Sequence, residues 1–211
     1  MESVPIVESV LVGIFVLLMI VQIRDFLTLL PYLMDSLLRA RGSVALEGSI
    51  PISRIRNNIS LTLLLPVVLV LYRYRLWYPS FLQGWPLSGQ LGAILGAFMV
   101  YLLLRGLLYV WMKPKRNADY YQLSHKAVFT HFILFCILLF LPTVGVLALV
   151  GASDSFSRLL LFVEAGVFYF LLLLRRGQIL ALSCNHLRTF LYLCGLEIIP
   201  TALWVVSAIV L

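Results

Sequence analysis

Four ionisable side chains stand inside apolar stretches of this 211-residue chain: Arg105, His131, Glu164 and Glu197. They are where any chemistry would have to sit. A charge at the centre of a bilayer costs about 2.5–3.5 kcal/mol on insertion scales, so such residues face a bundle interior and pair with one another. An arginine beside Glu164 or Glu197 would let both ions avoid lipid, while the other carboxylate holds a proton or faces the imidazole. Residues of these types can do two things. They can form an ion pair that fixes helix register, or line a water-filled site for a proton or a ligand.

Other candidate chemistry is thinner. Cys184, Asn185, His186 and Arg188 crowd one short segment and could be drawn as a thiol and imidazole pair. That segment supplies neither a third orienting group nor oxyanion donors, which an activated nucleophile needs. The three cysteines, Cys136, Cys184 and Cys194, form no CxxC pair, so neither a disulfide framework nor a zinc site is expected. No glycine-rich phosphate loop, HExxH or GxSxG occurs. The sequence therefore implies no cofactor, no metal and no named catalytic residue.

What positions these residues follows from composition. The chain is 62% hydrophobic and 12% charged, with a mean hydropathy of +1.03, whereas about 25% of residues are charged in a soluble domain. A spanning helix takes about 20 apolar residues, because backbone polar groups in hydrocarbon must be satisfied within the segment. Six stretches meet this requirement, at about 4–23, 58–76, 87–111, 126–150, 156–174 and 188–211. The expected fold is an all-α polytopic transmembrane bundle, with residues 1–211 forming one integral membrane domain. The first stretch follows Glu2 rather than a basic segment and is about twice the length of a signal-peptide core, so it is read as a span. The run from Phe26 to Leu38, interrupted by Pro31 and Asp35, is short for a span. It is read as an interfacial or re-entrant helix near 26–38, with a seventh span as the other reading.

Basic residues set the orientation. Arg24, Arg39, Arg41, Arg54 and Arg56 fall in one connection, Lys113, Lys115, Arg116 and Lys126 in the next but one, and Arg175, Arg176 and Arg188 in the last of that side. The opposite side carries only Arg73, Arg75 and Arg158. The positive-inside rule places the first set in the cytoplasm and both termini outside it. The formal charge of +7 is thereby explained by topology, and no nucleic-acid partner is implied. Tyr72, Tyr74, Trp77, Tyr78 and Trp85 form the aromatic belt expected at the outer boundary, and Tyr120, Tyr121, His125 and Lys126 read as anchors at the inner one. Ser88, Gly92 and Gly96, at four-residue spacing, put small side chains on one helical face. They suit close helix packing within the chain or between two copies. Pro66, Pro142 and Pro200 lie inside spans and predict kinks.

Depth then unites the four ionisable residues. Counting from the inner ends at the 1.5 Å helical rise, Arg105 lies about 9 Å in, Glu164 about 15 Å, Glu197 about 14 Å and His131 about 8 Å. One buried polar layer in the cytoplasmic half is the expectation.

The stretch Phe190-Leu191-Tyr192-Leu193-Cys194-Gly195-Leu196-Glu197-Ile198-Ile199-Pro200 resembles the closing signature of an uncharacterised family of multi-pass bacterial inner-membrane proteins. The resemblance extends back through Tyr120-Tyr121, Phe140-Leu141-Pro142 and Arg175-Arg176, over roughly the last 90 residues. It departs at Gly195, where that family usually has alanine. It implies a location in the bacterial inner membrane and a multi-pass architecture, and carries no activity. Three functional classes follow. A non-enzymatic subunit, assembly factor or scaffold of a cell-envelope system has membrane lipids, and another membrane or envelope protein, as its partners. A carrier for a small solute or lipid would use the Arg/Glu/His layer. An intramembrane enzyme on a lipid-linked substrate would need His131, His186 and Arg175-Arg176 to share a cavity.

Overall fold

The computed structural model describes residues 6–38, 46, 49–113, 118–181 and 185–210. The chain is all-α, and among the described residues six helices are long and apolar enough to cross a membrane. In chain order they are α1 (Ile6–Leu38), α2 (Ile50–Arg73), α3 (Leu87–Met112), α4 (Ala118–Phe135) continuing into α5 (Leu141–Val150), α6 (Asp154–Ala181), and α7 (His186–Leu193) continuing into α8 (Ile199–Val210). Arg39, Arg41, Lys115, Arg116, Cys184 and the side chain of His186 lie outside the described residues.

Helix α2 touches α1, α3 and α4; α4 touches α6; α6 touches α7; and α3 packs against α8 and the turn before it. Five spans therefore close a ring, α2, α4–α5, α6, α7–α8 and α3, and α1 lies against its outside between α2 and α4. The outward faces carry apolar side chains, such as Leu103, Leu107 and Val110 on α3 and Leu149 on α5. An apolar exterior on helices of this length is the arrangement that lipid demands.

Residues 26–38 do not form a separate interfacial or re-entrant helix. They continue α1, which runs unbroken through Pro31 for 33 residues, about 50 Å at the helical rise and well beyond the roughly 30 Å of hydrocarbon. Packing explains the continuity. Leu29, Leu33 and Ser36, at helical spacing, are buried in a core shared with Ile52, Ile59 and Leu63 of α2 and Ile133 and Leu134 of α4. The end of α1 is closed from another helix, where Arg175 of α6 donates to the Ser36 carbonyl at 3.2 Å. A cation on the last carbonyls of a helix also meets its dipole favourably.

Two prolines are accommodated by the same device. Cys136–Phe140 and Cys194–Ile198 are π turns, in which the amide of Leu141 donates to the Cys136 carbonyl and that of Ile199 to the Cys194 carbonyl. Pro142 and Pro200 follow each by two residues, so both turns share the pattern Cys-x-Leu-x-x-x-Pro. A proline ring clashes with the carbonyl four residues back, and the wider turn displaces that carbonyl. The expected kinks are therefore π turns at these two sites, while Pro66 sits within an uninterrupted α2.

One hydrogen-bonded pair fixes the register of α1 on α2. Gln22 Nε2 donates to Thr62 Oγ1 at 2.9 Å, and the Thr62 hydroxyl lies 3.1 Å from Gln22 Oε1. A double-mutant cycle with Gln22→Leu and Thr62→Val, read by reversible unfolding in mixed micelles, is expected to give a coupling of about 0.6 kcal/mol and no more than about 1.7.

Candidate functional site

Arg105, on α3, is 3% exposed, and Glu197, in the second π turn, is 1% exposed. Arg105 Nε donates to Glu197 Oε1 at 3.0 Å and Nη2 lies 2.9 Å from the same oxygen. The expected pairing of these two residues is thus present. A third ion joins them. Arg176 of α6, 1% exposed, pairs through Nη1 with Glu197 Oε1 and donates from Nε to Ser124 Oγ of α4 at 3.2 Å. Arg105 Nη2 also reaches the His125 carbonyl of α4 at 3.5 Å. One carboxylate, two guanidiniums and two α4 groups bring four of the five ring spans to a point.

The helices present these groups by simple periodicity. On α3, Tyr101, Arg105 and Tyr109 recur every four residues and share a face. On the last span, Tyr192, Glu197 and Thr201 serve the same side, although Tyr192 and Glu197 are five residues apart. In a regular α-helix that spacing would turn them about 140° away from each other; the π turn absorbs the extra residue. The Tyr101 and Thr201 hydroxyls meet at 3.4 Å one turn to one side of the ion cluster. On the other side the Tyr109 and Tyr121 rings stack at 4.9 Å, His125 lies 4.0 Å from Tyr109, and Tyr192 lies 5.0 Å from Tyr121. Tyr121 donates to the Tyr109 carbonyl at 3.2 Å. Tyr121 and His125 therefore close the cluster rather than anchor in the headgroups, since Tyr121 is only 2% exposed.

The other two expected members stand elsewhere. His131 is buried, and its Nδ1 donates to the Ala127 carbonyl of its own helix at 2.7 Å. Glu164 accepts from the Thr143 hydroxyl at 2.8 Å, just past the first π turn. It lies twelve residues from Arg176 on one helix, about 18 Å at the helical rise, and so at a different height from Glu197. The counting that grouped them took Leu174 as the end of its helix, whereas α6 continues to Ala181. Ser88, Gly92 and Gly96 lie on an exposed face of α3, where a Cβ added at either glycine would meet nothing within 4 Å.

Sequence reasoning missed Arg176 and the equally buried Arg56 by reading them as connection charges. The signal was present. Leu172, Arg176, Ile179 and Leu180 are buried at helical spacing on α6, and Ile52, Arg56, Ile59 and Leu63 on α2. Arg56 donates twice to Asn57 Oδ1 and lies 5.6 Å from the centre of the Phe129 ring. Among the described residues no group of three histidine, cysteine, aspartate or glutamate side chains could hold a metal ion.

Neither a family model, nor a curated protein, nor a solved structure matches this chain.

Breaking a buried pair from one side leaves an uncompensated charge and costs about 3–5 kcal/mol. Glu197→Gln is expected to destabilise the bundle by that amount in a micellar unfolding titration. Gly195→Ala is expected to cost only about 1 kcal/mol in the same titration, because its Cβ would come within 2.8 Å of the Met112 thioether end, which is flexible enough to move.

Proposed function

We propose that this chain is a non-enzymatic subunit, assembly factor or scaffold of a cell-envelope system in the bacterial inner membrane, with both termini on the non-cytoplasmic side. It is a multi-pass membrane protein; the compartment rests on the resemblance of its last 90 residues, and the sidedness on its basic connections. The observation that carries the functional reading is how the buried ions are engaged. Arg105, Glu197 and Arg176 are nearly inaccessible and bind one another, Ser124 and a backbone carbonyl. That is the chemistry of a lock between helices, and it supports a rigid body whose role is to hold other proteins. Extraction in a mild detergent is expected to bring out a partner membrane or envelope protein in fixed stoichiometry. A chain that elutes as a homogeneous single species, with no partner under several mild conditions, would overturn the scaffold reading.

A second reading rests on charge count. Two guanidiniums share one carboxylate, so the cluster carries one net positive charge in a low-dielectric interior, and an anionic group would balance it. This supports a carrier for an anionic solute or lipid. Flux through reconstituted vesicles would then fall steeply in Glu197→Gln and Arg105→Ala; flux unchanged in both removes the carrier reading.

A further inference from the structure

The connection between α2 and α3 holds a feature that the buried cluster does not use. Arg75 has a φ of 49°, the one positive value outside glycine among the described residues. Left-handed backbone is unfavourable for a side chain with a Cβ. It is held in place by the Arg75 amide donating to the Tyr72 carbonyl at 3.1 Å and that of Leu76 to the Leu71 carbonyl at 3.0 Å. This turn sends the Arg75 guanidinium over the Tyr78 ring, 5.2 Å from its centre. From α6, Arg158 reaches across and donates its Nε proton to the Tyr74 carbonyl at 3.1 Å. The two arginines border one cavity of about 630 Å³, together with Tyr78, Gln83, Leu76 and Phe162.

The chemistry of this lining is specific. Guanidinium groups present paired N–H donors that match the oxygens of a phosphate, and the Tyr78 hydroxyl and the Gln83 amide add neutral donors. With its Nε committed to Tyr74, Arg158 still has both terminal nitrogens as donors. Asp154, one turn before Arg158, takes part in neither ion pair found among the described residues, both of which Glu197 makes. Leu76 and Phe162 give the cavity an apolar side. Its residues Arg75, Leu76, Tyr78 and Gln83 fall in the stretch of chain that holds Tyr72, Tyr74, Trp77 and Trp85, an aromatic-rich composition of the kind found at the headgroup level of a bilayer.

We propose that the cavity between Arg75 and Arg158 binds the phosphate of an anionic phospholipid headgroup, the two guanidiniums holding the phosphate oxygens and Phe162 meeting the glycerol end. The site is independent of the scaffold and carrier readings, since it involves none of Arg105, Arg176 or Glu197.

The test is native mass spectrometry of the detergent-purified full chain titrated with phosphatidylglycerol, comparing wild type with Arg75→Gly/Arg158→Gln, and repeated with inorganic phosphate alone. Glycine favours the backbone conformation found at position 75. The expected result is one phosphatidylglycerol bound about tenfold or more tightly by wild type than by the double variant, given the charge-assisted bonds lost, with no displacement by millimolar phosphate. Binding of inorganic phosphate itself, lost in the double variant, would uphold a phosphate site and overturn its assignment to lipid. Equal phosphatidylglycerol affinity in the two proteins would overturn the site. Should the double variant not fold, Arg75→Gly alone carries the same comparison.

Discussion

A carboxylate shared by two guanidiniums sits where solvent cannot help any of the three, and the arrangement of the ring follows from keeping them together. Arg105 comes from α3, Arg176 from α6 and Glu197 from the last span, and α4 supplies Ser124 and the His125 carbonyl. In hydrocarbon, apolar helices gain little from meeting one another, because lipid tails are as apolar as leucine. Close packing contributes at every seam, as in the core of Leu29, Leu33, Ile59 and Leu63. The ions add what packing lacks, a large penalty for any other arrangement. Sliding α3 by one turn against the last span would part Arg105 from Glu197 and leave its guanidinium without a carboxylate, while Glu197 kept only Arg176.

The second π turn belongs to the same constraint. Pro200 requires some distortion of the helix before it, and the form taken here also turns Glu197 onto the face that carries Tyr192 and Thr201. The first π turn relieves Pro142 in the same way, and Thr143, next to that proline, bonds Glu164. Two turns with one sequence pattern thus each lie beside a carboxylate, Glu164 half-buried and Glu197 buried, and among the described residues the ion pairs are made by Glu197. The tyrosine and histidine rings on the basic side then exclude water from the ions. That exclusion strengthens every interaction inside the cluster and raises the cost of losing one.

Much of this was legible in the residues. Runs of apolar side chains set the six spans, and a carboxylate partner for Arg105, either Glu164 or Glu197, followed from the cost of leaving the charge in lipid; the fold selects Glu197. Failures came at helix ends, where the sequence changes character before the helix does. Residues 26–38 read as a separate element because Pro31 and Asp35 interrupt an apolar run. Neither ends a helix whose other face is packed against α2 and α4. Arg175 and Arg176 looked like one connection, but consecutive residues on a helix point about 100° apart. Arg176 faces the ring while Arg175 closes α1. The apolar run around Glu164 ends near Leu174 while the helix continues seven residues further, to Ala181, so a depth counted from Leu174 brings Glu164 too near Glu197. The π turn, which decides where Glu197 points, has no composition signal beyond the proline that follows it.

The most direct test of the shared carboxylate is the stability of Arg176→Gln/Glu197→Gln relative to Glu197→Gln alone, measured by unfolding in mixed micelles. With the carboxylate gone, two guanidiniums face each other in the single variant and one remains in the double. The account predicts that adding Arg176→Gln restores part of the stability lost in Glu197→Gln. A double variant less stable than Glu197→Gln, by the full cost of Arg176→Gln in the wild-type background, would mean that the two arginines do not share Glu197.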